Sequence, residues 1–177
     1  REDVPNLTAH IDIGLECAAE LCHPAIEANL GSHILGSCSP DIRIITRGER
    51  DDYHFAPITN RVIGAGARSL FKAYPRMADA ANLSEPTQAF MAGYISHLVA
   101  DEAWIIRVYL PYFGNRKLFP DRVLANVMDR AVQLEMDRQA VDKHDGMKQI
   151  KDYLVDAHVG VDVDFLSTDT LAEWREF

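Results

Sequence analysis

Apolar residues recur at spacings of three and four along most of the chain, and this periodicity limits the fold more than any other feature of the sequence. In residues 7–22 it places one apolar stripe on a helix, formed by Leu7, Ile11, Leu15 and Ala18. A helix with such a stripe has to bury it against another element. We therefore expect an all-α fold, a multi-helix bundle with irregular loops between the helices.

Prolines, glycines and capping residues set the ends of the predicted helices. After 7–22, helices are predicted over 24–36, 58–80, 84–112 and 120–142, within 145–157, and at the C terminus from 168. Residues 37–57 carry two prolines and two acidic clusters, and we predict an irregular segment there. The stretch "VGVDVDFL" is the only predicted strand, and it is too isolated to define a sheet.

Length and composition predict a single globular domain over residues 1–177, with 47% apolar residues and no apolar run near the roughly 18 residues of a membrane span. A formal charge of −9 argues against a nucleic-acid scaffold, although a local cation can still attract a small phosphorylated molecule. Three cysteines without regular spacing, and no secretory signal in the first ten residues, favour a reducing, cytoplasmic location.

The segment "GYISHLVADEAW" carries the strongest chemical signal. His97 and Asp101 are four residues apart and stand on one face of the predicted helix, together with Tyr94 and Trp104. A carboxylate on an inward face costs several kcal/mol, about the penalty of a buried charge, unless it is paired. The pair is therefore either a His–Asp hydrogen bond that joins two helices or a pair of metal ligands.

Three further residues favour the metal interpretation. Asp41 directly follows a proline, His54 stands between Tyr and Phe thirteen residues later, and His10 lies beside the apolar stripe of the first helix. Nitrogen and oxygen ligands from three separate regions suit borderline metals such as Zn²⁺ and can hold one or two ions. Because the ligand types do not select one metal, Fe and Mn remain open.

The ordered set resembles the metal-binding pattern of the zinc-dependent phospholipases C, whose helical fold is shared with the S1/P1-type nucleases. The resemblance rests on His10, on Asp41 in "GSCSPDI", on His54 in "DDYHF", and on His97 and Asp101 in "GYISHLVADE". It implies that Asp41, His54, His97 and Asp101 form one zinc site. It also implies that Asp101 bridges to a second ion, which His10 binds.

The sequence departs from this family at the third metal. The phospholipases hold a third ion and use the mature N-terminal residue as a ligand, a role that the resemblance would give to Arg1. They need a His shortly after the bridging Asp and then an HxxxE pair, whereas this chain has Arg107 in that region and no HxxxE. The remaining candidates for a third site come too late in the chain to align simply: Glu135, His144, and His158 with Asp162.

The residues and the resemblance together predict a phospholipase C-like hydrolase of phosphoester bonds that uses metal-activated water. Asp41 is the candidate to orient or deprotonate that water, and the candidates to bind the substrate phosphate are Arg43, Arg47 and Arg107. The substrate is then a small phosphorylated molecule or a phospholipid head group. Two alternatives stay open: different metal-dependent chemistry on the same site, and a non-catalytic helical protein with a structural ion or a buried polar network.

Overall fold

The structure is a computed structural model, and it describes residues 7–177. This part of the chain is helical almost throughout, which confirms the predicted all-α bundle. Its α-helices are α1 Leu7–Leu21, α2 Pro24–Ala28, α3 Leu30–Cys38, α4 Arg43–Thr46, α5 Arg50–His54, α6 Ala65–Ala73, α7 Glu85–Trp104, α8 Arg122–Lys143, α9 Lys148–Leu154 and α10 Thr168–Glu176. The predicted strand is wrong, since residues 159–166 contribute only an isolated antiparallel bridge between Val163 and Leu166.

The helix predicted over 24–36 is divided in two at Asn29. The backbone of Asn29 leaves the helical region (φ −131°, ψ 45°), and its side-chain amide donates a 2.9 Å hydrogen bond to the carbonyl of Ala25. A side chain that bonds to nearby backbone competes with helix continuation, so α2 ends here and α3 starts afresh. The second helix then runs to Cys38, beyond its predicted end.

Residues 37–57, which the sequence predicted to be irregular, form three short helical turns. A 3₁₀ turn over Ser39–Ile42 follows α3 directly, and α4 and α5 come after it. A capping box between Glu49 and Asp52 starts α5. The last two turns each end at a residue with a left-handed backbone conformation, Arg47 after α4 and Phe55 after α5.

The helix predicted over 58–80 is mostly absent, because only α6 at Ala65–Ala73 is an α-helix there. Gly64, with φ +83°, precedes its first turn. The carboxylate of Glu102, on α7, accepts hydrogen bonds from the backbone N–H groups of Gly64 and Gly66. The start of α6 is therefore capped by a residue far along the chain, a contact that no local pattern contains.

The centre of the fold is the crossing of α3 and α7, whose backbones touch. A Cβ atom at Gly36 would overlap the carbonyl oxygen of Phe90, and one at Gly93 would overlap the carbonyl oxygen of His33. Glycine at both positions therefore permits this close approach. The helix α1 packs against both, and α8 packs against α1.

The helix predicted over 84–112 has nearly the predicted extent, with Ser84 as its N-cap. Its last part, Ile105–Phe113, is a π-helix that contains Pro111, which has no N–H to donate to the helix ladder. In the described residues, no helix is long and apolar enough to cross a membrane. All three cysteines are free thiols.

Candidate metal centre

The five residues predicted as metal ligands lie together in the structure. They form two overlapping groups, in each of which the ligand atoms lie within 4.8 Å of one another: His10 with Asp41 and His97, and His54 with His97 and Asp101. Four of the side chains are at most 2% exposed, whereas that of Asp41 is 13% exposed. The five candidate ligands thus meet at one buried point. They come from three helices, α1, α5 and α7, and from the turn after α3.

Asp101 is the carboxylate at the middle of this cluster, and its two oxygens face different imidazoles. Its Oδ1 lies 3.2 Å from Nε2 of His10, and its Oδ2 lies 3.2 Å from Nε2 of His54. Nε2 of His97 lies 3.8 Å from the same Oδ2. Because each oxygen of Asp101 faces a different imidazole, the carboxylate could contribute to two neighbouring metal sites.

The imidazoles of His54 and His97 are each held by a backbone carbonyl. Nδ1 of His97 lies 2.8 Å from the carbonyl oxygen of Ser37, and Nδ1 of His54 lies 3.3 Å from that of Arg50. Because a carbonyl only accepts, Nδ1 of each ring carries a proton, and in the neutral form of such a ring Nε2 is an acceptor. The two Nε2 atoms are nonetheless 3.3 Å apart. Two acceptors at this distance, beside a carboxylate, call for a cation or an extra proton between them.

His10 adds atoms that lack hydrogen-bond partners. Its ring stacks on that of His97, with 3.6 Å between the ring centroids. Both of its ring nitrogens and Oδ1 of Asp101 are buried without a hydrogen bond, although Nε2 of His10 and this oxygen lie 3.2 Å apart. A buried polar atom without a partner costs about 1–3 kcal/mol, so such atoms point to a group that satisfies them. The residues present therefore fit a bound metal ion.

Burial and the neighbouring rings set the protonation states that metal binding needs. Burial, together with the nearby imidazole of His10, holds the pKa of His97 well below its ordinary 6.5. Burial alone would raise the pKa of the Asp101 carboxyl, but the adjacent imidazoles outweigh it and hold that pKa well below 3.8. His97 is therefore neutral and Asp101 ionised near pH 7, as ligands must be.

Arg50 belongs to the site, although the sequence analysis did not select it. Its Nη2 donates a 2.9 Å hydrogen bond to Oδ2 of Asp101, and its Nη1 donates to the carbonyl of Ala56. The residue lies four positions before His54 on α5, so both side chains point to the same side of that turn. This spacing is the signal that could have identified it, had the helical turn been predicted.

The hydroxyl of Tyr94 positions α5 on α7. It donates a 2.6 Å hydrogen bond to the carbonyl of Tyr53, the residue before His54. A surface recess reaches the cluster at Arg50 and His54 and is also lined by Asn60, Glu102 and Ile105, among others. The recess has room for about one water molecule.

The arginines predicted to bind substrate lie at the two ends of α4 and on the π-helical segment. Arg47 is exposed at the end of α4, Arg107 is exposed on the π-helical segment, and Arg43 is half-buried at the start of α4. Within residues 7–177, no hydrogen bond or ion pair joins Arg47 or Arg107 to the cluster. Their part in substrate binding stays a prediction.

The candidates for a third metal site have other partners. Glu135 is exposed on α8 and pairs with Arg138 at 2.7 Å, and Asp162 pairs with Arg76 at 3.0 Å. Nε2 of His144 lies 2.8 Å from Oδ1 of Asp12, and Nδ1 of His158 lies 3.5 Å from Arg175. None of these candidates belongs to either ligand group of the described residues. Arg1 lies outside the described residues.

No family model matches the sequence, and comparisons with curated proteins and with solved structures give no match. The resemblance to the zinc-dependent phospholipases C therefore rests on the ordered ligand residues alone. The function has to be inferred from the geometry and chemistry of the site itself.

Proposed function

We propose that the His/Asp cluster binds one or two zinc ions and that the protein hydrolyses phosphoester bonds in a small phosphorylated molecule or a phospholipid head group. One observation carries the proposal: buried polar atoms converge without the partners that would satisfy them. Nε2 of His54 faces Nε2 of His97 at 3.3 Å, and Oδ1 of Asp101 and both nitrogens of His10 have no hydrogen bond.

The ligand types and their supports suit zinc. Neutral imidazoles and carboxylates are its common ligands, and a ligating His usually donates its other ring N–H to a carbonyl, as His54 and His97 do here. Two overlapping ligand groups and the divided carboxylate of Asp101 leave room for a second ion. Iron or manganese fits the same ligands and would indicate a metal-dependent enzyme of different chemistry.

A bound zinc ion supplies a Lewis acid that polarises a phosphoryl oxygen and acidifies a water molecule. The protein's own residues then orient the reactants. Asp41 has the most exposed carboxylate of the cluster, and its Oδ1 lies 4.0 Å from Nε2 of His54. This position between the ligands and solvent suits a group that orients an incoming water and accepts its proton. Arg50 fixes the orientation of Asp101 from the wall of the recess.

A non-catalytic polar network is the second candidate, and the contact between Arg50 and Asp101 favours it. The guanidinium already supplies one positive charge to the buried carboxylate. A proton shared between His54 and His97 would then satisfy their facing nitrogens without a metal. The two candidates differ in metal content, which is directly measurable.

The test is elemental analysis by plasma mass spectrometry on protein purified without added metal, beside His97→Ala and Asp101→Asn. His158→Ala, on a half-buried histidine outside the cluster, is the control. We expect about two equivalents of zinc, lost in both cluster variants and kept in the control. Bis(p-nitrophenyl) phosphate and p-nitrophenylphosphorylcholine then test hydrolysis by the zinc-loaded protein.

Each other outcome has a definite meaning. Protein that contains no metal and does not bind added zinc leaves the polar network as the explanation of the cluster. Stoichiometric iron or manganese moves the proposal to a different metal-dependent reaction. Zinc at full occupancy, with neither phosphodiester hydrolysed, overturns the phosphoesterase and leaves a zinc-binding protein.

A further inference from the structure

A second cleft lies between the π-helical segment Ile105–Phe113 and the start of α8, and the proposed function makes no use of it. It has a volume of about 200 Å³. Three arginines and three aromatic residues line most of it: Arg61, Arg116, Arg122, Tyr109, Phe113 and Phe119. No carboxylate of the described residues lines it. The cleft therefore combines positive charge with aromatic walls.

The three arginines have no acidic partner within residues 7–177. One Nη of Arg61 donates to the carbonyls of Ile58 and Asn60, and one Nη of Arg116 donates to that of Pro120 at 3.0 Å. A guanidinium has five N–H groups, so most of these donors remain for a ligand.

This concentration of unpaired arginines is unexpected in a chain with 27 acidic and 18 basic residues. Acidic residues form ion pairs elsewhere on the surface, yet none of them pairs with these three arginines in the described residues. Like charges that face one cleft repel each other, and a bound anion relieves that repulsion. The charge pattern therefore favours an anionic ligand.

The start of α8 brings Arg122 to the cleft. Arg122 is the first residue of this 22-residue helix, at the end where the helix dipole is positive. The carboxylate of Asp121 caps this end and accepts hydrogen bonds from the N–H groups of Val123 and Leu124. That carboxylate is thus engaged in capping the helix.

The aromatic walls are held in place by their own contacts. The rings of Phe113 and Phe119 are half-buried, with centroids 5.6 Å apart and planes tilted by 38°. The hydroxyl of Tyr109 donates a 3.0 Å hydrogen bond to Asn126. Such walls accept a flat ring by stacking or edge contact.

We infer that this cleft binds a small molecule that carries both a doubly charged phosphate-type group and an aromatic ring. Arg61, Arg116 and Arg122 hold the anion, because guanidinium groups match its oxygens in pairs and three of them suit a dianion better than a monoanion. The ring lies against Phe113 and Phe119. Asn60 lines the recess, and the next residue in the chain, Arg61, lines the cleft. Binding here needs no metal and does not depend on the proposed hydrolysis.

Phenylphosphonate is the probe, titrated calorimetrically into the whole protein in the presence of EDTA. It has the charge and the ring but no bond that a phosphoesterase hydrolyses. We expect saturable binding that weakens with added salt. Methylphosphonate, which lacks the ring, and benzenesulfonate, which has one charge, should both bind more weakly.

Single substitutions test the assigned roles. Arg61→Gln, Arg116→Gln and Arg122→Gln should each weaken phenylphosphonate binding by about 3- to 10-fold, as expected for a partly exposed charge-assisted hydrogen bond. Phe119→Leu should weaken phenylphosphonate and leave methylphosphonate unchanged. Because the arginines are exposed, we expect these variants to keep the thermal stability of the wild type.

Arg68→Gln is the matched control, since Arg68 is exposed on α6, has no ion pair in the described residues and does not line the cleft. It should bind the probe like the wild type. If Arg68→Gln weakened phenylphosphonate binding as much as the cleft variants do, the probe would be responding to positive charge in general. That result would overturn the proposed site. The site is also overturned if the wild type shows no saturable binding. The same holds if a variant with Arg61, Arg116 and Arg122 all replaced by Gln binds the probe as the wild type does. These results leave the zinc proposal unaffected, since no metal is present in the titration.

Discussion

Arg50 donates a 2.9 Å hydrogen bond to the same oxygen of Asp101 that lies 3.2 Å from Nε2 of His54. The guanidinium therefore neutralises the single carboxylate that lies between three imidazoles. A bound metal ion would supply positive charge to the same oxygen. If the cluster binds a metal ion as proposed, we expect Arg50 to contribute most to stability in the metal-free protein.

Arg50→Met tests this relationship, since it removes the charge and keeps much of the side-chain length. In EDTA, we expect the free energy of unfolding to fall by about 3 kcal/mol, because an uncompensated carboxylate stays buried. With zinc bound the loss should be clearly smaller. Urea unfolding in both conditions measures the two losses. Arg47→Met, on an exposed arginine, is the control, and equal losses with and without zinc would contradict the idea.

Asp41→Asn tests the role of the most exposed carboxylate of the cluster. The amide keeps an oxygen that can still coordinate a metal but cannot accept a proton at neutral pH. We therefore expect phosphodiester hydrolysis to fall by about 10²- to 10⁴-fold while most of the zinc is retained. Asp51→Asn, on an exposed residue of α5, should keep both activity and metal. Full activity in Asp41→Asn would remove Asp41 from the chemistry.

Gly93→Ala tests the contact between α3 and α7. The added methyl group would overlap the carbonyl oxygen of His33, so the helices must move apart. We expect the free energy of unfolding to fall by about 3 kcal/mol, at the upper end for overpacking. Ser69→Ala, at an exposed position on α6, is the control and should change it by less than about 0.5 kcal/mol. Similar values for both variants in chemical denaturation would show that the crossing tolerates a Cβ atom.

Trp104→Phe tests the attachment of α8 to α7. The indole N–H of Trp104 donates a 3.0 Å hydrogen bond to Oδ1 of Asp129, and the Gln133 amide donates to its other oxygen at 2.8 Å. Losing the indole donor to a fully buried carboxylate should cost about 1–3 kcal/mol beyond the lost packing. Trp174→Phe loses the same ring area at a buried site without such a bond in the described residues. A thermal scan that shows equal losses for both would refute the donor role.

The carboxyl group of Asp12 should make the stability of the protein depend on pH in the acid range. Burial raises the pKa of its carboxyl, but hydrogen bonds from Lys143 and His144 outweigh this and lower the pKa below 3.8. Because the folded state has the lower pKa, the stabilisation is full above the ordinary value and disappears as pH falls through the folded value. The contribution should be under about 1 kcal/mol, since Lys143 is exposed.

The measurement compares the wild type with Asp12→Asn in urea unfolding from about pH 6 to about pH 2. The difference in unfolding free energy should be present near neutrality and vanish at the acid end. Asp152→Asn, on an exposed carboxylate of α9, is the control and should match the wild type throughout. A difference that persists at the acid end would show that the charge of Asp12 is not its source.

The convergence of the five candidate ligands could be predicted because their signal is chemical. His97 and Asp101 share a helix face by their spacing alone, and the other three residues are ligand types beside apolar neighbours. Arg50 could not be predicted in the same way. It points inward only because α5 is helical, and the capping box that forms α5 lies in a segment whose prolines and charges favour a loop.

The starts of the helices likewise differ in whether the sequence could predict them. The start of α7 was predictable from Ser84, whose cap lies within the segment itself. The start of α6 was not, because Glu102 on another helix accepts its first N–H groups. Local patterns contain the first kind of contact and lack the second.

The glycine contact between α3 and α7 has a consequence for how the molecule opens. Where two backbones touch without side chains between them, water reaches the amides only when the helices separate. Hydrogen exchange around Gly36 and Gly93 should therefore proceed through global unfolding, while the exposed helix α9 exchanges through smaller openings. The pair also carries His97 and the turn that bears Asp41. Part of the His/Asp cluster would then stay assembled in partly opened molecules, so the proposed ion could leave and bind again without complete refolding.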